Sequence, residues 1–355
     1  MVASAEHGIS REELRLAARN HAMPLEGLRW PITPVGLHYL LVHYDVPLVD
    51  PEGWRLDVSG AVERPVSLTL DELRERPVVE LTVTMECAGN GRALIEPRPL
   101  SQPWLMEAVG AATWRGVPLA SLLDEAAPAV SAVEVVFSAL DRGIEAGVEQ
   151  RYERSLSLAE ARESGAVLAY DMNGDPLPPQ HGFPLRLVVP GWYGMTNVKW
   201  LTGITVTTEP FGGYQNATSY RYRRSEAEPG RTVTHMRPRS LMVPPGIPDF
   251  FTRARTVEIG PVGLEGRAWS GLEPVVRVEV SADGGTTWAD AELTHDFDDS
   301  FAWCGWSYRW QAARGDHVLC CRATDAAGET QLLEPEWNVG GYENNAVQRV
   351  DVHVR

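Results

Sequence analysis

The chemistry in this chain gathers at two places far apart in the sequence. The first is Leu81–Arg92, LTVTMECAGNGR. Leu81, Val83 and Met85 alternate with Thr82, Thr84 and Glu86, the period of a strand. The run breaks at Ala88-Gly89-Asn90-Gly91, residues that permit a tight turn and positive φ. Cys87 sits at the junction, held by the strand and approachable from the loop. Arg92, just past the turn, brings a permanent positive charge that favours thiolate, the form that attacks electrophiles or binds soft metals. On local grounds Cys87 is either such a sulfur or a small buried hydrophobe, and Arg92 either its charge partner or half of a structural ion pair.

The second place is His181-Gly182-Phe183-Pro184-Leu185-Arg186, continuing through Val188-Val189-Pro190-Gly191 to Asn197-Val198-Lys199-Trp200. A histidine, an arginine and a lysine flank one strand–loop–strand unit. Arginine grips phosphate with a planar fork and lysine acts as a point charge, so together they form either an anion pocket or a solvated basic cluster.

The elements that must position these residues follow from the same sequence. Capping boxes at Ser10-Arg11-Glu12-Glu13, Thr69-Leu70-Asp71-Glu72 and Ser157-Leu158-Ala159-Glu160 open short helices, the first reaching about Arg19. A further helix is expected over Leu119–Ala126, and residues 20–36, rich in Pro and Gly, read as an extended arm. Strands are expected at Trp54–Gly60, Ala132–Phe137, Val167–Tyr170, Leu185–Pro190 and Val198–Thr207. They interleave with helices without a regular βαβ repeat, which implies an α+β fold. From about Glu226 the texture changes. A loop-rich stretch, Gly230–Pro248, is followed by strand after strand. Pro274–Val280 and Thr286–Leu293 form a hairpin about Asp283-Gly284-Gly285, with Trp306–Trp310, Asp316–Thr324 and Gln348–Val354 beyond. Short strands at that spacing suggest a β-sandwich.

Composition narrows the function. The 355 residues suffice for two or three domains, and 44% hydrophobic with 23% charged is ordinary for a globular protein. A net charge of −16 speaks against a nucleic-acid partner and against docking on an anionic membrane. It also means that an anionic substrate needs a local positive pocket. No apolar run approaches the roughly 20 residues of a membrane span, and the first twenty residues show no apolar signal core, so a cytoplasmic location is expected. The four cysteines, Cys87, Cys304, Cys320 and Cys321, lack zinc spacing and do not suggest a disulfide scaffold. Adjacent Cys320 and Cys321 should point to opposite faces of a strand.

Both motifs resemble the sulfite oxidase family of molybdenum-cofactor oxidoreductases. Cys87-Ala88-Gly89-Asn90-Gly91-Arg92 is similar to its metal-ligating segment, and HGFPLRLVVPG with NVKW is similar to its pterin-binding segment. Trp114–Leu119 resembles its W-R-G-V-P-L. Ser281–Trp288, Arg322–Asp325 and Trp337–Val350 resemble its immunoglobulin-like dimerisation domain. The resemblance covers roughly residues 35–355 and implies three parts. These are an N-terminal helix and arm (1–35), a sulfite-oxidase-type molybdopterin domain (36–225), and an all-β immunoglobulin-like sandwich that dimerises (226–355).

It further implies that Cys87 ligates molybdenum and that Tyr39, His43, Asp141, His181, Arg186, Asn197, Val198 and Lys199 hold the pyranopterin. Arg92 then touches substrate or stabilises the oxidised centre. Tyr220, with Tyr214 as the alternative, stands by the substrate oxygen. Oxygen-atom transfer to sulfite, giving sulfate, is the implied reaction. A related reductase or dehydrogenase acting on nitrate, a sulfoxide or another sulfur compound is the alternative, and a catalytically silent pterin-binding protein a third reading. In the family's sulfite-oxidising pattern an arginine occupies the place of Leu41, so the pocket has one fixed charge fewer, which Arg221, Arg223 or Arg224 could supply. No haem is expected, and electrons are expected to pass to a separate acceptor, a cytochrome or oxygen.

Overall fold

The computed structural model describes residues 8–355; residues 1–7, the start of the expected N-terminal part, lie outside it. All three capping boxes form. Ser10, Thr69 and Ser157 accept from the backbone N–H three residues on, while Glu13, Glu72 and Glu160 reach back to the cap N–H. They open helices Arg11–Ala17, Leu70–Arg74 and Leu158–Glu163. The fourth helix, Leu119–Ala126, buries Leu119, Leu122, Leu123 and Ala126 at helical spacing. These helices span five to eight residues, and sheet dominates, so the expected α+β balance is corrected towards β. Among the described residues no helix is long and apolar enough to cross a membrane.

The first half of the chain is two sheets facing one core. One runs in the order Val66–Leu68, Leu56–Gly60, Leu201–Thr207, Glu134–Glu145, Val148–Ser157. The other runs Val79–Glu86, Val109–Pro118, Val167–Met172, with Asp175–Pro176 and Arg186–Val188 both pairing the last of these. Between them lie Leu56, Val58, Phe137 and Ile204 from the first sheet against Val117, Leu168 and Leu187 from the second. Each such side chain, fully buried, contributes roughly 1.5–3 kcal/mol.

The second half is again two sheets on a shared core. Leu264, Trp306 and Trp310 come from Arg239–Met242, Gly260–Trp269, Cys304–Ala312 and Glu292–Thr294. Val278, Val280, Leu319, Val350 and Val352 come from the six-stranded sheet that contains Val275–Ser281, Gly315–Asp325 and Gln348–Val354. Cys321 enters this core and the equally buried Cys320 does not, as opposite faces require. All four cysteines are free thiols.

Two expectations change. The hairpin partner of Val275–Ser281 is only Ala289–Asp290; the chain then crosses, and Glu292–Thr294 pairs with Cys304–Ala312 in the facing sheet. One apparent strand thus serves both sheets, which period-two alternation cannot reveal. The stretch expected to be loop-rich, 230–248, contains the fully buried strand Arg239–Met242.

That strand joins the halves. Glu86, 2% exposed at the end of Val79–Glu86, lies 2.9 Å from the Arg239 guanidinium and accepts from Trp269 Nε1 at 2.9 Å. Asn90 Nδ2 adds a third donor at 3.0 Å. Removing one partner of a buried pair strands the other charge, so Arg239→Met should lower stability by about 3–5 kcal/mol. Urea unfolding measures this: the midpoint should fall, and the Glu86→Gln/Arg239→Met double variant should recover much of the loss. An unchanged midpoint in the single variant would show the pair to be idle.

Candidate active site

Cys87 ends its strand where backbone pairing passes to the loop: its N–H donates to Ala108 O and its carbonyl accepts from Asn90 N–H, both at 2.9 Å. Gly91 takes φ +86°, a left-handed turn that a side chain would strain. From the second half, Glu343 N–H donates to Ala88 O at 2.9 Å and Asn344 Nδ2 to Gly91 O at 2.8 Å. The cysteine loop is therefore gripped from both halves of the chain.

Cys87 opens onto one cleft, and the same cleft is lined by Tyr39, His43, Asp141, His181, Arg186, Asn197, Lys199 and Tyr220. Leu41 is also on its wall. It holds about 610 Å³ of free space with its mouth included. Gly194 faces it: a Cβ there would stand 2.1 Å from the Tyr39 hydroxyl.

The cations in the cleft form no close ion pair, Asp141 on the same wall acting on Lys199 from beyond contact distance. Arg186 donates to His181 O at 3.0 Å and Asn197 O at 3.3 Å, contacts Met85 Sδ at 3.4 Å and stacks over Trp114; its Nε has no partner. Lys199 Nζ donates to Leu41 O at 2.8 Å and Gln180 O at 3.1 Å. Among the described residues neither cation has a carboxylate within 4.0 Å. Burial pulls both down, Arg186 to about 10 and Lys199 to about 7, the latter assisted by repulsion from Arg186. Burial pushes Asp141 up to about 7 against the opposing pull of Lys199.

The imidazoles are held neutral. Burial is the first cause for all three: His38 falls to about 4, His43 to about 3 and His181 to about 2, with nearby cations adding to it. Burial also wins at Cys87, whose thiol is raised although Arg92, the Gly89 N–H and Trp104 all favour thiolate. The expectation that Arg92 makes Cys87 a thiolate is thus corrected for the free protein. A bound metal must draw the proton off.

Two expected site residues stand elsewhere. Arg92, 4% exposed, points its guanidinium at Gly340 O (2.9 Å) and Gln102 O (3.0 Å) and over the Tyr342 ring, behind the loop rather than in the cleft. Val198 turns its side chain into the hydrophobic core between the first two sheets. Asn197 braces the loop, its Oδ1 accepting from Val189 N–H at 2.7 Å. Asp141 lies within strand Glu134–Glu145, not in a loop at its end; a shift in register between Ser138 and Arg142 accompanies its inward placement. Tyr220 lines the cleft, its hydroxyl 2.5 Å from His43 Nε2, whereas Tyr214 stands outside beside a π-helical turn, Gln215–Ser219.

Sequence reasoning missed His38 and Tyr152. His38 Nε2 has no partner and its ring meets that of His181 edge-on at 5.6 Å; Tyr152 donates to Met195 O at 2.6 Å. Tyr152 was discoverable as an inward position in Val148–Ser157.

The molybdenum pyranopterin implied by the resemblance fits this donor set. A soft sulfur stands at one part of the wall. The buried Arg186, the half-buried Lys199, His181 and His38 line the same space, and Arg186 Nε is left without a partner. Among the described residues no three His, Cys, Asp or Glu side chains converge on a metal, so an ion bound through Cys87 brings its remaining ligands with the cofactor.

Comparison with known proteins agrees. The model of the oxidoreductase molybdopterin binding domain matches residues 43–215, and that of the Mo-co oxidoreductase dimerisation domain matches residues 234–355. Mitochondrial sulfite oxidase of Macaca fascicularis is 36% identical over 345 residues, 91% of this chain and 62% of that protein. NADH nitrate reductase of Solanum lycopersicum is 33% identical over 358 residues, 91% of this chain and 38% of that protein. The chain thus spans less than two thirds of the length of either. The sulfane dehydrogenase SoxCD from Paracoccus pantotrophus superposes with a TM-score of 0.81 over 100% of this chain and 95% of that one, at 24% identity, which establishes shared fold.

The three neutral imidazoles make the cofactor-free protein acid-labile. Their folded pKa values lie below the ordinary value near 6.5. Their contribution is therefore complete above about pH 6.5 and is lost as pH falls towards 4, 3 and 2. Unfolding between pH 4 and 6 should take up protons, and His38→Gln should flatten the decline of the urea midpoint with falling pH. An unaltered slope would mean that His38 titrates normally in the fold.

Proposed function

The chain belongs to the sulfite oxidase family of molybdenum-cofactor oxidoreductases, and from this we propose that it oxidises sulfite to sulfate and passes the electrons to an external acceptor. The observation that carries the reading is the cleft itself: Cys87 on one wall, with the buried Arg186 and the half-buried Lys199, neither in a close ion pair, on the same space. Arg186 and Lys199 hold the cofactor's phosphate, where the uncompensated charges gain an anion. His181, His38, Tyr39 and Asn197 supply neutral hydrogen-bonding groups along the pterin, and Cys87 binds the metal through sulfur. The bound cofactor supplies oxygen-atom transfer and two-electron redox capacity.

The remaining steps belong to the chain. In the tautomer that carries its proton on Nε2, neutral His43 would donate to the Tyr220 oxygen, 2.5 Å away, and leave the phenol proton to meet a substrate oxygen. Buried and raised well above its ordinary pKa, Tyr220 stays a donor at physiological pH. Arg92 lies too far behind the loop to touch substrate and acts on the site by its charge.

A second reading, reduction of nitrate or oxidation of another sulfur compound, is favoured by Leu41 on the cleft wall, which presents no charge to the substrate. The domain limits 36–225 and 226–355 and an immunoglobulin-like kinship of the second half belong to the same proposal, supported by its two facing sheets. A homodimer through that half is supported by the description of the matching family model.

Cys87→Ser should retain the wild-type circular dichroism and lose molybdenum, measured by metal analysis. The molybdenum-loaded wild type should show its oxidised absorption bleached by sulfite. Full loading with no response to sulfite, and reoxidation of the reduced centre by nitrate, would replace the first reading with the second.

A further inference from the structure

Arg154, like Arg186, is a buried cation without a counter-charge. It is 1% exposed, on strand Val148–Ser157, and among the described residues no carboxylate lies within 4.0 Å of it. Its only hydrogen bond runs from Nη1 to Gln215 O at 2.5 Å; its Nε has no partner. Holding a guanidinium so is unfavourable unless a negative charge arrives. Nothing in the proposed cofactor site uses it.

Its placement shows where that charge would be. Tyr152 and Arg154 are two residues apart on one strand and share its inward face. Tyr152 lines the cleft, while Arg154 reaches past it, its guanidinium carbon 5.7 Å from the centre of the Tyr220 ring. Tyr220 in turn lies 5.2 Å, centre to centre, from Tyr342, and Arg92 sits 5.2 Å over Tyr342. Two guanidinium groups therefore bracket a pair of phenols whose inner member faces the cleft that contains Cys87. Arg186 and Lys199 serve the rest of it. Of the later loop's arginines, Arg221 is spent on Pro229 O, Gly230 O, Asn216 O and Thr232, with all these partners on its own loop and turn, and neither Arg223 nor Arg224 lines the cleft.

We propose that Arg154 is a positioning residue for the substrate. Acting across the Tyr220 ring, it supplies the positive field that holds an oxyanion beside Cys87, the charge that Leu41 does not provide. This rests on the reading of the site as a molybdenum centre for an anionic substrate, and it deepens that reading. The field acts without a direct fork, so it attracts small oxyanions while leaving their oxygens free for the Tyr220 hydroxyl.

The test uses the molybdenum-loaded protein, with sulfate as the equilibrium probe. Calorimetric titration gives sulfate affinity, and steady-state assay with sulfite and an artificial acceptor gives KM and kcat across pH. Arg154→Gln keeps a donor for Gln215 O and removes the charge. It should weaken sulfate binding and raise the sulfite KM by roughly tenfold, as expected of a unit charge several ångströms away. Its kcat should change less and its molybdenum content remain at the wild-type level. Arg154→Lys should recover most of the affinity. Unchanged sulfate affinity and KM in a fully loaded Arg154→Gln protein overturns the inference while leaving the sulfite reading intact. So does a loss that lysine fails to rescue. A wild type that binds sulfate through Arg154 yet ignores sulfite keeps the inference and removes the sulfite reading; a wild type that binds no sulfate removes both. Should the Gln variant fail to fold, Arg154→Lys decides alone: affinity within about threefold of the wild type supports the field, and abolished binding overturns it.

Discussion

The buried carboxylate of Glu86 is the point through which the two halves of this chain become one site. It is the residue before Cys87, and its partners Arg239 and Trp269 belong to the second half. Burial alone raises its pKa, the Arg239 charge opposes that, and the hydrogen bonds from Trp269 and Asn90 favour the ionised form. Asn90 passes the constraint onward, donating to Met106 O at 2.9 Å and accepting from Ala108 N–H at 3.0 Å. The sulfur is thus fixed less by its own turn than by charge and hydrogen bonds converging on its neighbours. The second half thus braces the cysteine loop from behind, as well as being a candidate for dimerisation.

A second constraint is electrostatic. The chain carries −16 overall, yet Arg186 and Arg154 are buried without acids to balance them, and half-buried Lys199 has only Asp141, itself driven towards neutrality by burial. Concentrating cations inside an acidic protein costs stability in the empty state. It is tolerable because the guests are anions, and binding returns what folding loses. The same logic explains the neutral histidines: in a cleft already bearing fixed cations, further protonation is opposed by burial and by repulsion together.

The residues that carry chemistry were legible in the sequence because their types are informative wherever they stand. Cys87, His181, Arg186, Lys199 and Tyr220 all reach the cleft, and each capping box opened a helix. What the sequence could not show was direction. Arg92 is adjacent to the cysteine loop in sequence, but it turns away because Gly340 O and Gln102 O need a donor behind the loop. Asp141 is buried in phase with Val135, Phe137 and Ala139, so alternation gives its inward face but not that this face opens on the cleft beside Cys87. The sandwich misled for a similar reason: Ala289–Asp290 and Glu292–Thr294 look like one strand until their partners are known to lie in different sheets. His38 was passed over since a lone histidine in an apolar segment carries no pattern.

Leu41 shows how the two constraints meet. Its side chain lines the cleft without charge, while its backbone carbonyl accepts from Lys199. An arginine side chain there would add a cation beside Lys199 and Arg186, and Lys199 is already drawn towards neutrality, first by burial and then by repulsion from Arg186. Placing positive charge on the far side of Tyr220 avoids that crowding. A phenol ring separates Arg154 from the cleft, and the distance that weakens its pull on a substrate also weakens its repulsion of the phosphate-binding pair. Substrate charge and cofactor charge can then be held at one narrow site without either set of cations displacing the protons of the other.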